Sequence, residues 1–255
     1  ATHPNPHLDD ICGIWLLKKY DIHFKNARIK FIAQGTKIKD TSLVAIGIGR
    51  GKYDEHKGDV LESATTLVFK DLRSKIQNSL ERLAVSELVQ WVCDEDHARF
   101  MGTPYHEFGV GLVIMELPHL PNISSSVATD WGMKALDALL QILIEKQKLL
   151  RDWKKRKEFM TQWGRGVALT TTASSGQVGE YATSQGILVF VAVNSKNKFR
   201  YIKAAPGKID VDLTSAYDIV RHKEPNADWY LHHSRRMLIC GSDVAPQSRL
   251  SKMPL

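Results

Sequence analysis

The chain has 255 residues, of which 43% are hydrophobic and 25% are charged, with a formal net charge of +7, and this composition predicts an ordinary globular protein. It contains no run of about 18 apolar residues and does not open with a basic stretch followed by an apolar segment. We therefore expect no membrane span and no secretory signal, and a cytoplasmic protein. Three cysteines at wide spacings indicate buried, reduced thiols rather than disulfides or a zinc knuckle: Cys12, Cys93 and Cys240.

The first half of the chain alternates helix and strand patterns. Residues 10–20 place apolar side chains at helical spacing, and β-branched runs at 28–35 and 42–49, each ending at glycine, are typical of strands. Residues 61–92 have a helical pattern that is broken into two or more pieces. Strands that alternate with helices predict an α/β fold with a mostly parallel sheet and flanking helices.

The second half begins with a long helix. Residues 131–159 would span about 43 Å as one helix and would join two lobes. Beyond it, a helix at 212–223 is surrounded by strand-like runs: VALTTTA, GILVFVAVN, FRYIKAAP and WYLHHSRRMLIC. We expect an α/β metal-binding domain over 1–130, a connecting helix over 131–160 and a smaller, basic α+β substrate-binding domain over 161–255.

Charge is divided unevenly along the chain. Residues 1–150 hold 18 basic and 19 acidic side chains, whereas residues 151–255 hold 17 basic and 9 acidic ones. A basic lobe can hold a polyanion while the acidic part of the chain acts on it; a soluble basic surface without a ligand is the alternative. The KKRK run at 154–157 is interpreted as a solvated helix face.

The segment THPNPHLDD at residues 2–10 forms a loop before the first predicted helix. Ligands of open α/β sheets gather in such loops, and the spacing of His3, His7 and Asp9 lets a tight, proline-containing turn direct them into one crevice. Imidazole with carboxylate is a ligand set for manganese, iron or zinc. Alternatively, Asp9 or Asp10 caps the helix and the histidines face solvent.

Three other segments concentrate similar residues at the ends of predicted elements. They are GIGRGKYDEHKGD (47–59), WVCDEDHARF (91–100) and WYLHHSRRMLICGS (229–242). The glycine-rich start of the first lacks the spacing of a P-loop. It is interpreted as a tight turn that delivers residues 54–56 into the crevice, or alternatively as a loop whose backbone N–H groups bind phosphate.

In their order along the chain, these clusters resemble the DHH phosphoesterase superfamily, whose members hydrolyse phosphoric esters and anhydrides with two metal ions. HPNPHLD is similar to the first motif, YDEH at 53–56 resembles the Asp-His-His signature, and DEDHAR resembles a later aspartate motif. Within the superfamily the chain is most similar to the branch of the melanocyte proliferating gene exonuclease, which also has a C-terminal His-x-Ser strand before a glycine, here Gly241.

The resemblance implies a metal-dependent phosphoesterase that acts on nucleotides or short nucleic acid. It implies a divalent metal, manganese first and magnesium, iron or zinc as alternatives, with the ligands His3, His7, Asp9, Glu55 and Asp96. The metal would activate water, and His56 and Asp54 would be catalytic. Substrate phosphate would bind the basic domain through His232, His233, Ser234, Arg235 and Arg236. Arg236 alone would face the cleft if both arginines lie on one strand.

Two positions depart from the superfamily pattern. Gly47 stands where the superfamily places an aspartate that bridges two metals, and Glu55 stands at the middle histidine of the signature. The alternative function is therefore a catalytically degenerate relative that binds a phosphorylated ligand or nucleic acid. The expected partner is a phosphorylated small molecule or single-stranded nucleic acid, and a homodimer is left open. The six tryptophans are interpreted as core or interlobe packing; alternatively, Trp229 and Tyr230 stack on a base.

Overall fold

The structure is a computed structural model that describes residues 1–56, 61–208, 210–242 and 244–255. These residues form a mixed α/β fold with seven α-helices and one six-stranded sheet. None of the described helices combines the length and the apolar composition that crossing a membrane requires. All three cysteines are free and buried, as predicted.

The chain divides into two compact units, Ala1–Ile144 and Glu145–Leu255. The first unit contains five helices: α1 (Leu8–Tyr20), α2 (Ala64–Leu72), α3 (Ser79–Asp96), α4 (Val110–Glu116) and the first part of α5 (Ser125–Trp153). Short 3-10 turns lie between them at Ile22–Phe24, Arg73–Lys75, His106–Phe108 and Leu117–His119.

Helix α1 is the centre of the first unit. Every residue from Leu8 to Leu17 is buried, because this helix is apolar on all sides and is surrounded by α2, α3 and α4. Gly13 is needed for close packing, since a Cβ there would lie 3.0 Å from Ile46. The N-terminus of α1, with the THPNPHLDD segment before it, is thereby fixed in place.

The mostly parallel sheet predicted for this unit is wrong. The runs at 28–35 and 42–49 form only isolated bridges among the described residues, Thr2 with Phe31 and Ile46 with Tyr53. The opening segment lies between the two runs: Thr2 exchanges hydrogen bonds with residues 30 and 32, and Ala1 accepts one from residue 46. Because prolines follow at positions 4 and 6 and have no N–H, this pairing does not extend into a strand.

The sheet belongs to the second unit. Its strands are β1 (Lys157–Thr161), β2 (Gly164–Thr171), β3 (Val189–Asn194), β4 (Arg200–Ala204), β5 (Trp229–Leu231) and β6 (Met237–Cys240), and its helices are α6 (Ser175–Ser184) and α7 (Thr214–Lys223). The order is β1-β2-β3-β4-β6-β5. Only β2 and β3, which α6 connects, pair in parallel; the other four pairs are antiparallel.

Several predicted elements differ from the structure in extent. The long helix begins at Ser125 and ends at Trp153, and the division between the units falls within it, after Ile144. The last predicted strand is a hairpin, because residues 232–236 turn between β5 and β6. Helix α6 is absent from the predicted elements, since its Ser, Gly and Thr residues are weak helix formers.

Candidate metal centre

A cavity of about 910 Å³ opens in the first unit. Its ionisable lining consists of five carboxylates and four imidazoles: Asp9, Asp10, Glu55, Glu62, Asp96, His3, His7, His56 and His97. Among the described residues, no lysine or arginine lines it. All five predicted metal ligands lie at this cavity, although they come from three separate segments of the chain.

The ring of His3 is oriented by its own backbone neighbourhood. Its Nδ1 lies 2.8 Å from the carbonyl oxygen of Pro4, which can only accept, so Nδ1 carries a proton. Its Nε2 lies 3.0 Å from Oδ2 of Asp10. In a neutral ring this Nε2 is an acceptor that faces another acceptor, so the contact requires a proton or a cation there. The hydrogen bond to Asp10 accordingly raises the pKa of His3.

His3, His7 and Asp10 form a three-ligand group. One ligand atom from each lies within 4.8 Å of the others. The imidazole rings of the two histidines meet edge to face, with centroids 5.2 Å apart. Asp10 is buried, and its carboxylate also accepts a hydrogen bond from the backbone N–H of His7 at 3.1 Å. This arrangement is suited to one divalent cation with nitrogen and oxygen ligands.

The carboxylate of Asp10 lies directly against Gly47. Gly47 has a φ of +66°, and a Cβ built there would lie 1.9 Å from Oδ1 of Asp10. Position 47 therefore carries no side chain because the carboxylate of Asp10 fills that volume. Helix α1 supplies that carboxylate.

Asp9 points away from the three-ligand group and toward α2. Its two carboxylate oxygens accept hydrogen bonds from the backbone N–H groups of Ala64, at 2.8 Å, and Thr65, at 3.0 Å. These are the first N–H groups of α2, where the helix dipole favours an anion. Burial nevertheless raises the pKa of Asp9 to about 7, and repulsion from Asp96 and Asp10 adds to the rise. Asp9, one of the predicted metal ligands, therefore uses its carboxylate in this conformation to bind the start of α2.

Glu55 brings a carboxylate with an unused oxygen to the cavity. Its Oε2 is buried and has no hydrogen-bond partner among the residues that the structure describes. Its Oε1 lies 3.3 Å from Nδ1 of His56. Burial raises the pKa of Glu55, and the negative charges of Asp10 and Asp96 raise it further. A buried carboxylate oxygen without a donor is costly, and a cation in the cavity removes that cost.

Asp54 holds the ring of His56. The Nδ1 of His56 donates to Oδ1 of Asp54 at 2.9 Å, and the backbone N–H of Arg50 donates to Oδ2 at 2.5 Å. Burial opposes ionisation of Asp54, but hydrogen bonds from His56 and from the backbone outweigh it and lower its pKa. The hydrogen bond to Asp54 raises the pKa of His56. The turn therefore delivers Glu55 and His56 to the cavity, while Asp54 supports them. Residues 57–59 of the same motif lie outside the described residues.

Asp96 and His97 end helix α3 at the same cavity. Desolvation raises the pKa of Asp96, and the negative charge of Asp10 contributes to the rise. His97 Nδ1 donates to the backbone carbonyl of Cys93 at 2.7 Å, so the neutral ring carries its lone pair on Nε2. Sequence reasoning did not select Asp10, Glu62 or His97; the repeated aspartate in HLDD and the histidine of DEDH were their only signals.

The predicted substrate-binding residues lie in the second unit, in the turn between β5 and β6. His232 Nδ1 lies 2.9 Å from the hydroxyl of Ser234, and the His232 and His233 rings are 3.9 Å apart. Arg235 has a φ of +57° and forms an ion pair with Asp212 at 3.3 Å. Neither Arg235 nor Arg236 is on a strand, so the expectation that strand alternation separates their directions is wrong.

The two aromatic residues before this turn differ in burial. Trp229 is buried in the core of the second unit, and its Nε1 donates to Glu224 at 3.4 Å. Trp229 therefore packs in the core, which was the first of the two interpretations, and is not a surface for base stacking. Tyr230 is 53% exposed. An exposed ring of this kind is available to stack on a base.

No model of a known protein family matches the chain, and a search of curated proteins finds no significant match. The resemblance to the DHH superfamily is therefore a hypothesis that depends on the motifs and on the geometry of the cavity.

Proposed function

We propose that the chain is a metal-dependent phosphoesterase that hydrolyses phosphoester bonds of nucleotides or short nucleic acid. The observation that carries this proposal is the cavity of the first unit, where carboxylates and imidazoles converge without a lysine or arginine from the described residues. Buried like charges raise one another's pKa and call for a counter-cation. A divalent metal is the cation whose ligand preferences match both residue types.

The first ligands in this proposal are His3, His7 and Asp10. His3 has the arrangement common among metal-binding histidines, in which one ring nitrogen donates to a backbone carbonyl and the other faces the metal. The second group of clustered ligand atoms is Asp54, Glu55 and His56. Glu55 is the ligand of choice from that group because its Oε2 has no other partner. Asp96, which also lines the cavity, completes the set.

A bound divalent metal supplies Lewis acidity, which activates water for attack on phosphorus near neutral pH. The residues of the chain position the reactants and move protons. His56 is held by Asp54 through Nδ1, so its Nε2 exchanges protons with the attacking water or with the leaving oxygen.

The position of Asp10 supports placing the chain near the DHH superfamily. The glycine at position 47 removes a carboxylate from the pattern, and Asp10 supplies one in the same volume. This substitution keeps negative charge between the two clusters of ligand atoms. Manganese is the proposed metal, with magnesium, iron and zinc as alternatives, because the set combines imidazole with several carboxylates.

One observation favours the alternative of a binding protein that does not hydrolyse. Both oxygens of Asp9 are occupied by the N-terminus of α2, so Asp9 contributes no ligand atom to the three-ligand group. If Asp9 does not turn, the cavity holds a single metal and the clamp of a two-metal mechanism is missing.

The test is metal-dependent hydrolysis by the purified full chain. After EDTA treatment and dialysis, manganese binding is measured by calorimetry, and hydrolysis of bis-p-nitrophenyl phosphate is followed with and without manganese. We expect saturable manganese binding and manganese-dependent hydrolysis, both lost in Asp10→Asn. The matched control is His23→Gln, an exposed histidine that does not line the cavity. Manganese binding without hydrolysis, or no manganese binding at all, would contradict the phosphoesterase and favour the binding protein.

A further inference from the structure

A second cavity, of about 530 Å³, adjoins the metal cavity and differs from it in charge. Both cavities are lined by Gln34, Gly47 and His56. The second cavity is also lined by two cationic side chains, Lys37 and Arg50. The phosphoesterase mechanism proposed above makes no use of either cation.

The carboxylate in this second cavity does not neutralise the cations. Asp54 is only 3% exposed. Its oxygens accept hydrogen bonds from the backbone N–H groups of Arg50 and His56 and from the His56 ring. Its negative charge is thus used within the turn, and the charge that reaches solvent in this cavity is positive.

Lys37 and Arg50 are exposed and make no ion pair with any described residue. Lys52, two residues after Arg50, differs from these two cations because it forms an ion pair with Asp71. Exposed cations without acidic partners beside a concave surface are typical of a site for an anion.

The backbone of the same loop adds donors. Gly47, Gly49 and Arg50 all have positive φ, between +51° and +76°, so the chain curves tightly from 47 to 50. The N–H of Gly47 donates to Tyr53. The N–H groups of Ile48 and Gly49 donate to no described residue. Successive free N–H groups in a curved loop form an anion-binding concavity.

We infer that the second cavity binds a phosphate of the substrate other than the one that is cleaved, through Lys37, Arg50 and the N–H groups of Ile48 and Gly49. The cleaved phosphate can bind in the acidic cavity only beside a bound metal cation, whereas a second phosphate can bind in the basic cavity without one. The two cavities adjoin at His56, so one substrate with two phosphates occupies both. The statement that the other phosphate is cleaved rests on the proposed function. The binding of phosphate in the second cavity does not.

The test compares two ligands, the dinucleotide pApA and its relative ApA, which lacks the 5′-phosphate. Binding to the full chain is measured by calorimetry at low salt in EDTA, which prevents turnover. We expect pApA to bind at least tenfold more tightly than ApA, and the double variant K37Q/R50Q to lose this preference. The control is K39Q, an exposed lysine that lines a different cavity. Unchanged melting temperatures of both variants show that the fold is intact.

Equal affinity of the unaltered chain for the two ligands, or a preference that survives in K37Q/R50Q, would overturn the inference. Hydrolysis of bis-p-nitrophenyl phosphate separates it from the proposed function, because that substrate has a single phosphate. If K37Q/R50Q loses the preference for pApA and the unaltered chain does not hydrolyse bis-p-nitrophenyl phosphate, the phosphate site is supported and the phosphoesterase is refuted. If the chain hydrolyses this substrate with manganese but shows no preference for pApA, the phosphoesterase is supported and the phosphate site is refuted.

Discussion

The two units hold their reactive side chains in different ways. In the first, the groups at the cavity are fixed by backbone hydrogen bonds: the ring of His3 by the Pro4 carbonyl, and Asp9 by the start of α2. In the second, the turn at 232–236 presents cations to solvent, and the side chains of the Arg235–Asp212 pair are 63% and 49% exposed. Fixed ligands suit a metal, whose geometry is demanding, while exposed cations suit reversible contact with phosphate.

The largest expected effect comes from removing the central carboxylate of the first unit. Asp10→Asn replaces the anion between His3 and His7 by a neutral amide. We expect at least a 100-fold loss of manganese affinity and hydrolysis at the background rate, because a ligand is lost together with the partner that holds His3. Calorimetry and initial rates provide the measurement, and the melting temperature shows whether the variant folds. Wild-type manganese affinity in Asp10→Asn would remove Asp10 from the site.

The Gly47→Ala variant tests the position of the Asp10 carboxylate by changing the residue that lies against it. The new methyl group would meet Oδ1 of Asp10 at 1.9 Å, and a positive φ is unfavourable for alanine. We expect the methyl group to displace Asp10 and to reduce manganese affinity about 10- to 100-fold. We also expect the free energy of unfolding to fall by about 1–3 kcal/mol. Gly35→Ala is the control, since its φ is also positive but nothing lies within 4 Å of the added methyl. Equal manganese affinity in the two variants would contradict the account of position 47.

The exposed turn of the second unit should respond differently. If the turn holds substrate phosphate, as the resemblance implies, Arg235→Ala and Arg236→Ala each remove a contact of about 1.5–3 kcal/mol, and we expect KM for an oligonucleotide to rise roughly 10- to 100-fold. Manganese affinity should not change, and stability should fall by less than about 1 kcal/mol, because exposed ion pairs contribute little. Steady-state kinetics beside a manganese titration provides the check. If both variants keep wild-type kinetics, the turn has no part in substrate binding.

The last prediction concerns the pH dependence that Asp9 gives to the stability of the first unit, with no effect on substrate or metal binding. Its pKa is about 7 in the fold and near 3.8 when unfolded, so the folded state binds the proton more tightly. Stability from this group is present below the unfolded value and is lost as pH rises through the folded one. In EDTA, the free energy of unfolding of the wild type relative to Asp9→Asn should fall by up to about 1.4 kcal/mol per pH unit between pH 4 and 7. Urea denaturation at several pH values measures this difference, and a flat difference would contradict the assignment.

The sequence was a good guide to which segments form the cavity. Residues such as His7, Glu55 and Asp96 stand at the ends of predicted elements, and the structure places all three at one cavity. The strands of the second unit were predicted, but the parallel sheet of the first was not formed, because β-branched runs at 28–35 and 42–49 indicate extended backbone without indicating a partner long enough to pair with. Pairing there stops at prolines 4 and 6, a consequence that only the three-dimensional path of the chain reveals.

The choice between Asp9 and Asp10 could not be made from the sequence. Neighbouring residues on a helix point about 100° apart, so only one of the two can face His3. Which one does depends on the N-terminus of α2, whose N–H groups bind Asp9 although it lies more than 50 residues away in sequence. Gly47 likewise had no explanation until Asp10 was found in the volume of its absent side chain.

The most direct test of the central claim is an anomalous diffraction measurement on crystals of the full chain grown with manganese. The account predicts a manganese peak in the cavity of the first unit, within ligand distance of Nε2 of His3, a ring nitrogen of His7 and a carboxylate oxygen of Asp10. A manganese peak bound elsewhere, with this cavity empty at saturating manganese, would contradict it.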